Sequence, residues 1–299
     1  MSPLFVFFFK PRFYSDGLLG EESRVQGATD ASLSRGGGTR FSHTRYYICL
    51  RRFVLKIVRR ILRRLDILLQ SYGSPEPSEA QGGSLEVARR CRIGLQALDL
   101  DEEGRHYLDM HLERLVRTLT LVPPASGSAR ILELGCYMQM TPLLVSERGY
   151  SYVRGAYLGP KGSVADRTVR IAGQETFSCR IDLFDAERDR FPYGEASFEV
   201  VLACEILEHL VHDPLHMLLE CRRVLVDDGT LLLTTPNSVS LTCVARALLG
   251  QETPQVFSKY PHPRKDERCG PHVREYAPAE LASILKSAGF QVEWLRTES

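Results

Sequence analysis

The sequence after residue 84 alternates between short apolar runs and longer stretches with apolar residues three or four positions apart. The short runs predict strands at residues 131–134, 152–158, 176–183, 198–202, 230–235 and 290–295. The helical spacing predicts helices at residues 85–98, 102–121, 141–148, 214–225 and 277–288. Strands that alternate with helices are typical of the α/β class. We therefore expect a doubly wound, mostly parallel, Rossmann-like sheet with helices on both faces, preceded by N-terminal helices.

The pattern also divides the chain into four parts. Residues 1–44 hold a long polar stretch with three successive glycines, which predicts a disordered leader. Residues 45–72 predict a basic amphipathic helix, and residues 73–84, rich in Pro, Gly and Ser, predict a linker. The main domain is expected at residues 85–299, where residues 85–122 form an N-terminal helical cap.

The predicted basic helix carries seven positive charges between its apolar positions, at residues 50–69. These charges are Arg51, Arg52, Lys56, Arg59, Arg60, Arg63 and Arg64. One interpretation is a helix that lies in an anionic membrane surface. The other is a helix that packs on its own domain and leaves its arginines solvated. The sequence leaves both open.

Composition and charge narrow the class of protein. Of the 299 residues, 43% are hydrophobic and 25% are charged, which excludes global disorder and fibrous repeats. No apolar run approaches the roughly 18 residues that a membrane-spanning helix needs. The net charge of +1 hides an asymmetry, because residues 1–72 contain 13 basic and 5 acidic residues and the remainder is mildly acidic. An acidic body argues against nucleic acid as the main partner.

The cysteines indicate a reducing environment. Eight are present and none forms a C-x-x-C pair, while most lie in apolar runs, as Cys204 does. This favours buried free thiols over a disulfide framework or a zinc site, so no metal site is predicted. The expected location is the cytoplasm, with peripheral membrane contact through residues 50–69 as an open alternative.

The candidate chemistry lies where the predicted strands end. In doubly wound sheets, ligands bind beyond the carboxyl ends of the strands, where the strand order reverses. The first predicted strand of the main domain ends at Gly135, and a glycine there lets the backbone approach a ligand that a Cβ would exclude. Alone, this signal is weak.

Six short motifs that follow one another along the chain strengthen this indication of a ligand site. They are ILELGC at 131–136, DAE at 185–187, FEVVL at 198–202, EILEHL at 205–210, RVL at 223–225 with Gly229, and TTPN at 234–237. With these motifs the chain resembles class I S-adenosylmethionine-dependent methyltransferases, and among them the branch called the type 11 or type 23 methyltransferase domain. The resemblance covers about residues 130–295.

The resemblance implies S-adenosylmethionine as cofactor and assigns its contacts. Glu133 and Gly135 match positions that line the methionine part. Asp185 and Ala186 match the loop near the adenine. Cys204 and Glu205 match the loop beside the transferable methyl group and the substrate.

The chain departs from the family pattern at two places. Tyr137 and Gln139 stand where the family has further glycines, and their side chains crowd the cofactor unless the loop takes a different course. Tyr157 stands where an acidic residue usually holds the ribose hydroxyls, and its phenol is a weaker partner. Two functions therefore remain open: a methyltransferase, or an inactive methyltransferase-like binding or scaffold protein. A nicotinamide-dependent dehydrogenase is disfavoured because G-x-G-x-x-G is absent.

Two histidines are weak candidates for catalysis. His209 is suited to orient or deprotonate an acceptor hydroxyl, but a purely structural role fits as well. His272 lies in a segment expected to cover the site. Residues 244–271 read as an insertion that selects the substrate. The expected acceptor is a small molecule or an envelope glycoconjugate or lipid-linked compound. Because the chain ends soon after the strand at 290–295, the sheet is expected to lack the antiparallel strand that completes the family fold.

Overall fold

The computed structural model describes residues 4–11, 80–172, 175–250 and 272–297. All of them belong to one compact unit, which consists of Met1–Phe13 and Tyr72–Ser299. The predicted basic helix at 50–69 lies outside the described residues, as do most of the predicted leader and linker.

The described strands form one sheet. Their bounds are β1 Leu4–Pro11, β2 Leu98–Asp99, β3 Arg130–Leu134, β4 Tyr152–Tyr157, β5 Ser163–Ile171, β6 Glu175–Leu183, β7 Phe198–Cys204, β8 Leu225–Pro236 and β9 Phe290–Thr297. Their order is β2-β5-β6-β4-β3-β7-β8-β1-β9. The central strands β6, β4, β3, β7 and β8 are mutually parallel. The chain winds outward from β3 in both directions, so the strand order reverses between β3 and β7 and creates a crevice there.

Helices cover both faces of this sheet. They are α1 Ala80–Gln96, α2 Glu102–Leu121, α3 Thr141–Ser146, α4 Pro214–Val224, α5 Leu241–Leu248 and α6 Pro278–Ser287. One buried cluster joins the sheet to α4 and α6 through residues such as Leu218 and Leu285. A second cluster joins the opposite face to α1, α2 and α3 through residues such as Leu95, Leu119 and Leu144. The predicted fold class is confirmed.

The helix starts follow local sequence signals. Asp101 caps α2 by accepting a hydrogen bond from the amide of Gly104 at 2.8 Å, and Glu102 and Glu103 place negative charge in its first turn. Asp213 caps α4 by accepting from the amide of His216 at 3.2 Å. Both helices therefore begin at fixed points relative to the strand ends nearby.

The N-terminal strand corrects two expectations. Residues 4–11 fall in the predicted disordered leader, yet they form β1, which pairs antiparallel with β8 on one side and with β9 on the other. The backbone of this apolar run gains two sets of interstrand hydrogen bonds there. The sheet thus has an antiparallel strand beside its final parallel one, and the expectation that it lacks such a strand was wrong.

Three further elements were not predicted: the short strand β2, the strand β5 and the helix α5. Strand β5 forms an antiparallel hairpin with β6, and its side chains alternate between exposed and partly buried positions without a strong apolar signal. Helix α5 begins at Leu241 and occupies the start of the stretch that was interpreted as an insertion. No described helix is both long enough and apolar enough to cross a membrane.

Candidate functional site

A cleft of about 1480 Å³ opens at the carboxyl ends of the central parallel strands. It is lined by all of the predicted site residues, which are Glu133, Gly135, Tyr157, Asp185, Ala186, Cys204, Glu205, His209 and His272. They converge because the carboxyl ends of β3, β4, β6 and β7 lie side by side at one edge of the sheet. Their individual roles remain predictions, but their placement in one cleft is a property of the fold.

The loop after β3 needs its glycine. Gly135 has a φ of +67°, a conformation that side chains disfavour, and a Cβ there would lie 3.1 Å from Cδ1 of Ile206. The next amide, of Cys136, donates to the carbonyl of Ala156 at 3.0 Å and ties the loop to β4. The backbone of the loop therefore faces the cleft without a side chain at this point.

Glu133 is a buried acid at the end of β3. Only 3% of its surface is exposed, and its Oε2 accepts a hydrogen bond from the Thr141 hydroxyl at 2.7 Å. Burial raises the pKa of Glu133 well above its usual value, since desolvation penalises the charged form. A cationic group bound beside this carboxyl would reverse that penalty.

The two residues that replace family glycines occupy separate places. Both line the cleft, but Gln139 is buried, with 7% of its surface exposed, whereas Tyr137 is 37% exposed. The hydroxyl of Tyr157 donates to that of Tyr137 at 3.1 Å, and the two rings pack edge to face with centroids 5.3 Å apart. The guanidinium of Arg167 lies 4.7 Å from the centroid of the Tyr157 ring. Since the cleft remains open beside these side chains, they form its wall and do not fill it.

The loop after β6 is held by its own carboxylates. Asp185 accepts a hydrogen bond from the amide of Glu187 at 2.9 Å, and its own amide donates to Asp189 at 2.9 Å. Glu187 is buried and accepts from the amides of Asp213, at 2.6 Å, and His212. This network joins the loop to the start of α4 and presents Asp185 and Ala186 to the cleft.

The loop after β7 carries an ion pair that the sequence did not reveal. Glu205 has a φ of +53°, and its carboxylate pairs with Arg114 of helix α2. Its other oxygen accepts from the Thr234 hydroxyl at 2.9 Å. Arg114 also donates to the Tyr107 hydroxyl at 2.6 Å. Arg114 lines the cleft, but its sequence signal is only that of a polar position on an amphipathic helix.

The two thiols near the cleft are not nucleophiles. Burial raises the pKa of Cys204, and a hydrogen bond with Cys179, followed by burial, raises the pKa of Cys136, so both remain protonated at neutral pH. The sulfur of Cys136 lies 3.2 Å from the Thr141 hydroxyl, within the core. Both cysteines are packing residues.

The weak catalytic candidates lie together in one corner of the cleft. The rings of His209 and His272 pack edge to face with centroids 5.0 Å apart. Beside them Glu208 is fully buried, and its Oε2 accepts from the Thr235 hydroxyl at 3.0 Å. Burial, followed by the nearby charge of Glu205, raises the pKa of Glu208 to about 8. The sequence indicated Glu208 and His209 as a pair that could act on an acceptor hydroxyl, but it did not indicate that the Glu208 carboxyl is fully buried.

The family and the curated proteins that this chain matches are all described as methyltransferases. Residues 105–294 match a family described as a methyltransferase domain. A probable S-adenosylmethionine-dependent methyltransferase of Mycolicibacterium smegmatis is 31% identical over 115 residues, which are 38% of this chain and 37% of that protein. A protein of the same description from Mycobacterium tuberculosis H37Rv is 30% identical over 112 residues, 37% of this chain and 33% of its own. The matched regions thus span about a third of the length of these relatives.

Among solved structures, the chain is similar to a protein of Thermotoga maritima described as a methyltransferase and possible histamine N-methyltransferase. The TM-score is 0.40 and the sequence identity is 17%, and the alignment covers 64% of this chain and 77% of that one.

Proposed function

The chain belongs to the methyltransferase domain family that matches residues 105–294, and from this premise we propose that it transfers a methyl group from S-adenosylmethionine to an acceptor held in the cleft. One observation carries the proposal. The residues that the resemblance assigns to the cofactor come from the ends of four parallel strands and all line the same cleft. In doubly wound sheets, ligands bind at this point, where the strand order reverses.

The described residues suit several polar groups of the cofactor. The buried carboxyl of Glu133 suits the ammonium group, and the bare backbone at Gly135 allows close approach of the methionine part. The Tyr157 hydroxyl is a partner for the ribose, and Asp185 is an acceptor for the adenine amino group. Tyr137 and Gln139 leave the cleft open, which removes the main objection from the sequence.

Methyl transfer depends on the positions of the reacting groups more than on acid–base catalysis. When bound, S-adenosylmethionine supplies a methyl carbon to a lone pair of the acceptor, and the electron pair of the broken carbon–sulfur bond stays on the sulfur. The cleft residues hold the reacting groups in line, which removes much of the entropic barrier. Glu205 and Arg114 hold each other in place after the end of β7. They therefore form a fixed part of the cleft surface beside the proposed acceptor. No catalytic triad is required.

For the acceptor we propose a small molecule or an envelope glycoconjugate or lipid-linked compound. The support for the second class is the basic amphipathic pattern at 50–69, which would bring the domain to an anionic membrane surface. The mildly acidic composition after residue 72 supports the exclusion of nucleic acid.

Radioactive methyl transfer tests the proposal. The purified chain is incubated with methyl-labelled S-adenosylmethionine and, separately, with polar small molecules, glycoconjugates and lipids extracted from bacterial cells. The proposal predicts label in at least one fraction. A chain that binds S-adenosylhomocysteine but labels no fraction would instead support the inactive binding or scaffold protein.

A further inference from the structure

Three side chains of metal-binding type meet in one corner of the cleft. A carboxylate oxygen of Glu208 and one ring nitrogen each of His209 and His272 all lie within 4.8 Å of one another. Oε1 of Glu208 and Nε2 of His209 are 3.9 Å apart. Two ligands bound to one ion at about 2.1 Å can lie up to about 4.2 Å apart, so this pair already has a suitable spacing.

The carboxylate of Glu208 provides an independent reason to expect a ligand. Its side chain is fully buried, and Thr235 satisfies Oε2. Oε1 accepts no hydrogen bond from any residue that the structure describes. A buried carboxylate oxygen without a partner is costly, and a metal ion is one of the groups that compensates such a charge. The unsatisfied oxygen is the same one that lies 3.9 Å from the ring nitrogen of His209.

His272 is oriented as metal-binding histidines usually are. Its Nδ1 lies 3.2 Å from Oε1 of Glu275, whose side chain is only 3% exposed. A carboxylate on one ring nitrogen fixes the ring and leaves Nε2 to bind an ion. The backbone also holds this segment in place, because the amides of Val273 and Arg274 donate to the carbonyl of Glu208 at 2.7 and 3.2 Å. The corner is thus assembled from two distant parts of the chain.

From this geometry we propose that Glu208, His209 and His272 bind a divalent transition-metal ion such as Zn²⁺. Two imidazoles and one carboxylate are a common ligand set for Zn²⁺ in sites that keep an open position. The side chains of His209 and His272 are 20% and 34% exposed, and all three ligands line the cleft, so the open position faces it.

The proposed ion would favour one chemical class of methyl acceptor. This part of the inference rests on the proposed methyl transfer. The ion lies next to the loop after β7, which the family resemblance places beside the transferable methyl group. An acceptor oxygen bound to the ion loses its proton to solvent more readily. The oxygen lone pair then forms the bond to the methyl carbon, while the carbon–sulfur pair stays on sulfur. The site therefore favours acceptors with a hydroxyl group.

Zinc titration tests the site without any acceptor. The tag-free chain is treated with EDTA, dialysed and titrated with ZnCl₂ in a calorimeter, as the wild type and as the variants E208Q, H272Q and E275Q. The matched control is H106Q, since His106 is exposed and lines the same cleft outside the cluster. We expect one ion per chain in the wild type and in H106Q. Binding should weaken at least tenfold in H272Q and E208Q, and about 10- to 100-fold in E275Q through loss of the orienting carboxylate.

The outcomes separate the metal site from the proposed function. Wild-type protein that binds no Zn²⁺, or H272Q that binds it as tightly as H106Q does, overturns the metal site. H272Q decides the matter if E208Q does not fold, because His272 is partly exposed. The same samples are titrated with S-adenosylhomocysteine. Heat from this compound without zinc binding rejects only the metal site, whereas zinc binding without that heat rejects only the proposed function.

Discussion

Arg114 of helix α2 and Glu205 after strand β7 form an ion pair in the cleft, and each side chain keeps less than a fifth of its surface exposed, 16% and 18%. The pair joins the predicted helical cap to the carboxyl edge of the sheet. The Thr234 hydroxyl bonds to the same carboxylate, and the Tyr107 hydroxyl bonds to the guanidinium. The ion pair thus ties the cap to the edge of the cleft, in addition to the apolar packing of α2 against the sheet.

The substitution R114Q should lower the stability of the chain. It leaves the Glu205 carboxylate without its counter-ion in a mostly buried place, and removing one partner of a buried ion pair costs about 3–5 kcal/mol. The free energy of unfolding, measured with urea, gives the cost. The double variant R114Q/E205Q should recover part of it, since it removes the unpaired charge as well.

An exposed ion pair between α1 and α2 provides a matched control. Arg92 of α1 pairs with Glu113 of α2 at 2.5 Å, but these side chains are 39% and 78% exposed. The substitution R92Q should therefore cost less than about 1 kcal/mol. Equal losses of unfolding free energy in R114Q and R92Q would show that the ion pair in the cleft stabilises the fold no more than the exposed pair does.

The substitution Y157F should weaken the binding of S-adenosylhomocysteine about 3- to 10-fold. It removes the hydroxyl that we assign to the ribose, and a neutral hydrogen bond contributes about 0.5–1.5 kcal/mol. The control is Y137F, which removes the partner hydroxyl 3.1 Å away and keeps that of Tyr157. Calorimetry should show little loss in Y137F. If both variants lose the same affinity, Tyr157 does not contact the ribose.

The substitution E133Q should make stability less sensitive to pH. The pKa of Glu133 in the folded chain is raised above its unfolded value near 4.5, so the folded state holds the proton more tightly. Stability of the wild type should then fall as pH rises above that value, by at most about 1.4 kcal/mol per pH unit. Glutamine keeps an acceptor for the Thr141 hydroxyl and removes this loss. Urea unfolding of both proteins from pH 5 to 8 should show a difference that grows with pH, and a constant difference would disprove it.

The part of the site that lies on the central strands could be predicted from sequence. Strands β3 and β7 are buried on both faces, so their apolar runs are easy to recognise and their ends are well defined. Since parallel strands share one carboxyl edge, residues that follow them in the sequence, such as Glu133, Gly135 and Glu205, must lie close together. The motif order then pointed to their chemistry.

Other features depend on contacts between distant residues and have no local signal. The pairing of β1 with β8 and β9 joins the two ends of the chain. Arg114 reaches Glu205 only because α2 packs over the sheet. Likewise, His272 meets Glu208 because the backbone at Val273 bonds to the Glu208 carbonyl. Each of these relationships requires the assembled fold, and no spacing in the sequence indicates it.

The central claim is that the cleft binds S-adenosylmethionine, and calorimetric titration with S-adenosylhomocysteine tests it most directly. The wild type should bind one molecule per chain. G135A should bind at least tenfold more weakly, because its Cβ would lie 3.1 Å from Ile206 at a φ of +67°. The control is G127A, whose φ is +56° but whose Cβ would meet nothing within 4 Å, and it should bind as the wild type does. No heat from the wild type at millimolar ligand, or equal binding by G135A and G127A, would contradict the account.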